Sequence, residues 1–170
     1  GDVIRVKKGL YVFGDDWRRR PYRRELLANL IYGPSFVSLD YALAYYGLIP
    51  ERVEAVTSVA AGRARRFHTP LGLFTYRPTS CFCSGFVRVE ENPDAFLIAV
   101  PERALADTIR TDPGAGPLKN ERQAAEYLLA NRRLDRDGLR QLDTDVLQKM
   151  AELLRSRKIA TCANYIRSME

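Results

Sequence analysis

The clearest change of hydrophobic pattern in this 170-residue chain lies in residues 96–106, FLIAVPERALA. Five consecutive apolar residues, 96–100, are typical of a short strand that is buried on both faces. Pro101 then favours the first turn of a helix, and Ala104, Leu105 and Ile109 give that helix one apolar face. A buried strand that leads directly into an amphipathic helix predicts a fold of mixed α and β structure.

The region before this point is predicted to supply the rest of a sheet. Residues 53–89 are rich in β-branched and aromatic side chains and are interrupted by Gly62, Gly72 and Pro78. This pattern predicts an antiparallel meander of about four strands, with β structure concentrated between residues 53 and 99.

Helices are predicted on both sides of that sheet. One covers about residues 23–32 and ends at Gly33-Pro34, and a second begins after Ser38 as N-cap and ends at Gly47. The Pro- and Gly-rich residues 111–117 suggest an exposed linker, and apolar stripes at helical spacing predict a helical tail after Lys119. The fold class is therefore α+β (mixed α/β), with a central antiparallel sheet, flanking helices and a helical C-terminal tail.

Positive charge is concentrated at the N-terminus. Residues 1–24 hold eight basic and three acidic side chains, a balance of +5 out of the net +6 of the whole chain. Two β-rich arms, residues 3–6 and 10–13, flank a Lys7-Lys8-Gly9 turn and predict a β-hairpin with a basic tip. The candidate contacts to nucleic-acid phosphates are Arg5, Lys7, Lys8, Arg18, Arg19, Arg20, Arg23 and Arg24. A solvated basic face without a ligand is the alternative.

Composition limits the class of protein further. The chain is 46% hydrophobic and 28% charged, which is ordinary for a folded domain. No apolar run approaches the roughly 18 residues needed to span a bilayer, and no charged-then-apolar leader opens the sequence. Three cysteines, an odd number, do not suggest a disulfide scaffold in a chain of this length. We expect a cytoplasmic location and no membrane partner.

Catalytic and metal-binding patterns are weak. His68 is the only histidine, so a Ser/Cys–His mechanism has one candidate and a two-histidine metal site has none. Glu102 and Asp107 lie five positions apart on a predicted helix and therefore do not converge. Glu102 in the first helical turn is explained by the helix dipole, and Asp135/Asp137 and Asp143/Asp145 are explained by helix N-capping. No Gly-rich phosphate loop is found, and we expect neither an enzyme nor a cofactor.

Zinc is equally poorly supported. Cys81, Cys83 and Cys162 with His68 provide four potential ligands, but the spacing does not match a zinc knuckle. Cys162 lies on the apolar stripe of the last predicted helix, where a buried thiol packs as a small hydrophobic group. We expect the three cysteines to form neither a metal site nor a disulfide.

Several blocks of the sequence resemble the AbiEi antitoxin family. They are GLYVF at residues 9–13, LANLIYGPSFVSLDYALAYYGLIPE at 27–51, VTSV at 56–59, FHTPLG at 67–72 and AVPERALAD at 99–107. The blocks follow the order of the family over about residues 9–110, and the segment around residues 38–47 is the most specific. Beyond residue 110 only the helical character is similar.

The resemblance implies an antitoxin of a type IV toxin–antitoxin system, active in abortive infection as a phage defence. Such a protein is a transcription regulator that binds duplex DNA at its own operator through an N-terminal winged helix. Its partner is a cognate toxin with a nucleotidyltransferase-like fold. The implied organisation is a wing-like hairpin and basic linker in residues 1–24, the remnant of a winged helix whose recognition helix precedes it, and an antitoxin domain in residues 25–170.

Two other classes of function are left open by the residues. A nuclease or nucleotidyltransferase would also bind nucleic acid, although no converging carboxylates are apparent in the sequence. A generic protein-interaction module with an incidental basic face would have the same composition. Salt-dependent binding of duplex DNA would count against the interaction module.

Overall fold

The structure is a computed structural model that describes residues 2–169. Within these residues the chain forms eight β-strands: β1 (Val3–Lys7), β2 (Leu10–Phe13), β3 (Ser35–Val37), β4 (Val56–Ala60), β5 (Arg65–Thr69), β6 (Gly72–Pro78), β7 (Phe86–Glu91) and β8 (Asp94–Ala99). It also forms seven α-helices: α1 (Arg24–Ile31), α2 (Leu39–Tyr45), α3 (Pro101–Thr111), α4 (Glu121–Ala125), α5 (Arg136–Arg140), α6 (Thr144–Leu153) and α7 (Arg157–Arg167). The predicted α+β class is confirmed.

The main sheet is mixed and not wholly antiparallel. Its six strands follow the order β5-β6-β4-β3-β8-β7, while β1 and β2 form a separate antiparallel pair. β4 pairs in parallel with β6, and β3 pairs in parallel with β8. The alternation of side chains along one strand is the same for parallel and antiparallel neighbours, and for this reason the sequence pattern did not reveal these two pairings.

β3 was not predicted from the sequence, although it lies in the middle of the sheet. It has only three residues, all of them buried, and therefore lacks the alternation that marks a half-buried strand. It pairs with β8 at one position, Val37 with Ile98. Asn29 of α1 extends this junction, because its side chain accepts a hydrogen bond from the Leu97 amide at 2.7 Å and donates to the Leu97 carbonyl at 3.3 Å.

The apolar run at residues 96–100 behaves as predicted. β8 lies between two neighbouring strands, and Phe96, Ile98 and Ala99 are buried. Pro101 begins α3, whose burial extends from Arg103 to Ile109 without interruption. α3 packs against α2, α6 and α7, so the change from strand to helix connects the sheet to the C-terminal helices.

The chain after Lys119 is helical, as expected. Asp135 accepts a hydrogen bond from the Gly138 amide and Asp143 accepts two from the first turn of α6, so both are N-caps as predicted. The predicted linker at residues 111–117 is more ordered than expected, because it contains a 3-10 turn in which Ala115 is buried. Among residues 2–169 there is no helix of the length and apolarity that crossing a bilayer requires.

Candidate functional site

The N-terminal hairpin forms as the sequence predicts. Gly9 has a φ of +82°, which favours glycine in the turn between β1 and β2. The inward side of the hairpin contributes Val6 to the main hydrophobic core. The outward side places Arg5 opposite Tyr11 and Val3 opposite Phe13. One face of the hairpin is therefore bound to the protein, and the other presents a cation beside two aromatic rings.

The hairpin is attached to the body and does not project freely from it. Lys7 donates through Nζ to the Ile31 carbonyl at the end of α1, and the Tyr22 hydroxyl donates to the Phe13 carbonyl. Because Lys7 neutralises the negative end of a helix, its charge is partly used within the fold. Division of the chain at residue 24 remains a prediction.

Four of the predicted arginines also have partners within the chain. Arg20 pairs with Asp94 at 3.0 Å, and Arg23 pairs with Glu91. Both ion pairs attach residues 1–24, which we call the basic segment, to the β7-β8 hairpin. Arg18 has a more local environment, since it pairs with Asp15 at 2.9 Å and its guanidinium lies 4.6 Å from the centre of the Tyr22 ring.

Arg24 is different again, because it is half-buried and donates to the Glu54 carbonyl. Together with Lys7, five of the eight predicted phosphate contacts are thus engaged with the protein itself. The exposed ion pairs among them are weak and can exchange for another anion.

Three predicted contacts remain available. Arg5, Lys8 and Arg19 are exposed, and within residues 2–169 none of them has an ion pair or a side-chain hydrogen bond. Arg5 and Lys8 belong to the hairpin, and Arg19 belongs to the loop that follows it. These three residues, which we call the free cation trio, are the part of the basic segment that does not have to break an internal contact in order to bind a phosphate.

Exposed aromatic rings line a groove together with Arg19, the one member of the free cation trio found there. Tyr11, Phe13 and Trp17 are 56%, 64% and 63% exposed, which is unusually open for large apolar side chains. They line a groove of about 610 Å³ between the hairpin, the basic loop and α1, whose floor includes Leu26 and Leu30. A groove with cations at its rim and aromatic faces along its wall suits a polyanion that carries flat rings.

The catalytic candidates remain apart. His68 is exposed on the edge strand β5. Glu102 accepts a hydrogen bond from the Asp143 amide at 2.9 Å, whereas Asp107 is buried in a different set of contacts. No group of three or more His, Cys, Asp or Glu side chains within the described part of the chain is placed to hold a metal ion.

A buried ionic network lies behind β3, and it was not predicted from the sequence. Arg103 and Asp107 are almost fully buried, and Arg103 Nε lies 3.0 Å from both carboxylate oxygens of Asp107. Ser38 donates to the same carboxylate at 2.8 Å. Burial raises the pKa of the Asp107 carboxyl, and the charge of Arg103 and the Ser38 hydroxyl oppose that shift.

The role of Ser38 therefore differs from the prediction. It stands at the N-cap position of α2, but its side chain makes no capping hydrogen bond because it is directed to Asp107. The i, i+4 spacing of Arg103 and Asp107 is the signal in the sequence that could have identified this pair.

A second, smaller recess is lined by residues of α2, β4, β6 and α3. It has a volume of about 210 Å³ and is lined by polar side chains, among them Thr57, Arg77 and Arg132. Arg132 pairs with Asp40 and also lies 3.5 Å from Asp112, so its charge is balanced. We assign no chemistry to this recess.

No family model, curated protein or solved structure matches the chain.

Proposed function

We propose that this protein is a non-enzymatic antitoxin and transcription regulator that holds DNA through its N-terminal basic segment and opposes a nucleotidyltransferase-like toxin. The family resemblance of residues 9–110 supports the antitoxin part. Most of the matching positions have structural duties in the fold, such as the buried Leu39, Ala42 and Leu43 of α2. At these positions the resemblance is therefore to the fold, and we infer the absence of catalysis from the family alone.

The free cation trio is the single observation that carries the DNA-binding part. Arg5, Lys8 and Arg19 are exposed, like-charged and free of internal partners within residues 2–169. Contacts from such side chains to phosphate position a protein on a duplex but do not read its sequence. We therefore expect salt-sensitive binding with little sequence preference.

The experiment compares two variants of equal charge change. Arg5→Ala/Lys8→Ala/Arg19→Ala removes the free cation trio, and Arg122→Ala/Lys149→Ala/Arg157→Ala removes three exposed cations of the C-terminal helices. Each protein is titrated against labelled duplex DNA at several salt concentrations. Loss of three phosphate contacts lowers the slope of log K against log salt by roughly 3. The control variant should keep the slope of the parent protein.

The DNA used decides how the result is interpreted. The duplexes are the sequence upstream of the operon and a scrambled version of it, with a single strand as a third ligand. Equal effects of the two triple variants would refute the proposed interface. A preference for the operon duplex above about tenfold, or about 1.4 kcal/mol, would show base readout within these residues. Tighter binding of the single strand would identify stacking on the exposed aromatic rings as the main contact.

Toxin opposition is tested separately in cells. The reading frame next to the gene is expressed alone and together with this protein. If that frame encodes a nucleotidyltransferase-like toxin, growth should stop without this chain and resume with it. The free cation trio variant should still restore growth, because its three substitutions lie in residues 1–24, outside the proposed antitoxin domain of residues 25–170. Failure of the parent protein to restore growth would leave a DNA-binding protein without antitoxin activity.

A further inference from the structure

Two thiols meet in the loop between β6 and β7. Cys81 Sγ lies 2.7 Å from Cys83 Sγ, and both cysteines are reduced. A disulfide bond is about 2.05 Å long, so only a small movement separates this contact from a covalent bond. Cys81 is buried at 9% exposure, whereas Cys83 is exposed to solvent. The pair therefore combines one accessible sulfur with one protected sulfur.

The buried arginine fixes the backbone of this loop. Arg103 donates to the Cys81 carbonyl at 2.9 Å, to the Ser84 carbonyl at 2.8 Å and to the Thr79 hydroxyl at 2.9 Å. The Thr79 hydroxyl is itself bound to the main chain of Cys81. A charged donor within a fully buried side chain makes strong hydrogen bonds, so both ends of the Cys81-Phe82-Cys83 turn are held in place.

The residue between the two cysteines adds a third restraint. The Phe82 ring lies 5.2 Å from the ring of Phe36 and 5.5 Å from that of Phe86, measured between centroids. Because the Phe82 ring packs against these two rings, the backbone that carries the two neighbouring cysteines is held in place.

The environment favours the nucleophilic form of one sulfur. A hydrogen bond from Cys83 lowers the pKa of the Cys81 thiol, and the positive charge of Arg103 lowers it further against the opposing effect of burial. The third cysteine is the opposite case. Burial raises the pKa of Cys162 to about 12, so this thiol stays protonated and inert near neutral pH.

We propose that Cys81 and Cys83 are a redox-active dithiol that closes reversibly to a disulfide by exchange with a small-molecule disulfide of the glutathione type. The exposed Cys83 sulfur attacks one sulfur of that disulfide, forms a mixed disulfide and releases one thiolate, which takes up the proton that Cys83 loses. Cys81 thiolate then attacks the Cys83 sulfur, forms the Cys81–Cys83 bond and expels the second thiolate. Two protein thiols are oxidised, and one small disulfide is reduced to two thiols.

Oxidised glutathione is the probe. The 170-residue protein is incubated with it, and free thiols are counted after denaturation while the intact mass is recorded. We expect the protein to lose two of its three thiols and two hydrogens, to retain no glutathionyl group, and to recover all three thiols after reduction. Peptide mapping should place the bond between Cys81 and Cys83.

Three variants separate this chemistry from alternatives. Cys162→Ser should behave like the parent protein and lose two thiols. Cys81→Ser should stop at the mixed disulfide and carry one glutathionyl group on Cys83, because the second attacking sulfur is missing. Cys83→Ser changes an exposed residue and should lose no thiol pair. Three unreacted thiols in the parent protein, a persistent glutathionyl adduct, or disulfide-linked dimers through Cys83 would each overturn the assignment.

This chemistry is independent of DNA binding and of toxin opposition. The thiol count and the intact mass can therefore be interpreted even if removing the free cation trio does not change DNA binding.

Discussion

Arg103 and Arg19 have the same side chain in opposite environments. Arg103 is fully buried and bound to Asp107 and to the Cys81 loop. Arg19 is exposed in the N-terminal basic segment and has no partner within residues 2–169. The guanidinium of Arg103 is hydrogen-bonded within the fold, whereas that of Arg19 is exposed to solvent. The number of charges along the sequence does not distinguish these two arginines, because the difference lies in the burial and the bonding partners of each guanidinium in the folded chain.

The largest expected effect is the loss of the buried carboxylate. Asp107→Ala leaves the charge of Arg103 buried without its partner, and we expect the free energy of unfolding to fall by about 3–5 kcal/mol. Urea denaturation measures the change. Asp137→Ala is the matched control, because it removes a carboxylate from the exposed pair with Arg140 and should cost less than about 1 kcal/mol. Similar costs for the two variants would mean that the buried pair does not stabilise the fold.

A pair of glycines provides a smaller and more selective test. Gly85 and Gly9 have similar φ values, +84° and +82°. Replacing either glycine by alanine should therefore lower the free energy of unfolding by about 1–2 kcal/mol. A Cβ at Gly85 would also lie 2.9 Å from Cγ of the immobile Arg103, while a Cβ at Gly9 meets no atom within 4 Å.

The clash should add about 1–3 kcal/mol to the cost of Gly85→Ala. Thermal and urea denaturation of both variants measure the difference, which isolates the packing around Arg103 from the backbone effect. Equal destabilisation at the two glycines would indicate that the buried arginine has room to move.

The smallest expected effect concerns the arginines that have exposed partners. Arg20→Ala/Arg23→Ala removes the ion pairs to Asp94 and Glu91, and we expect a loss of less than about 1 kcal/mol of stability because these pairs are solvent-screened. The salt slope for DNA should fall less per removed charge than in the free cation trio variant. A larger fall per charge would show that the internal pairs open readily and that partnered arginines dominate the contact with DNA.

Helices, the hairpin and two of the N-caps were predictable because their signals are local, whereas Ser38 was predicted as a cap and binds Asp107 instead. The apolar stripe of α3 and the capping residues Asp135 and Asp143 are determined by neighbours within one or two turns. β3 was not predicted because three consecutive buried residues show no alternation of apolar and polar side chains. The order of the strands was not predicted because strand pairing joins segments that are distant in the chain.

The candidate site was predictable as a region but not as a set of contacts. Eight cations within residues 1–24 were evident in the sequence. Their partners Asp94 and Glu91 lie about seventy residues later, on strands whose position next to the basic segment no local pattern encodes. The contact between Cys81 and Cys83 was not predicted, since the sequence led us to expect no disulfide among the three cysteines, and the role of Arg103 in holding their loop depends on the packing of α3.

The single paired position between β3 and β8 has a consequence for the order of folding. The β5-β6 and β7-β8 hairpins close over short loops, whereas the pairing of Val37 with Ile98 must close a much longer one and is expected to form late. Until then β3 can pair only with β4, and the other edge of this strand, which contains the apolar Phe36 and Val37, stays open. Such an edge is a template for association with another chain. A strand that is wholly buried in the native protein thus has one edge open to misassembly while the chain folds, and pulsed hydrogen exchange should find its junction with β8 among the last parts of the sheet to be protected.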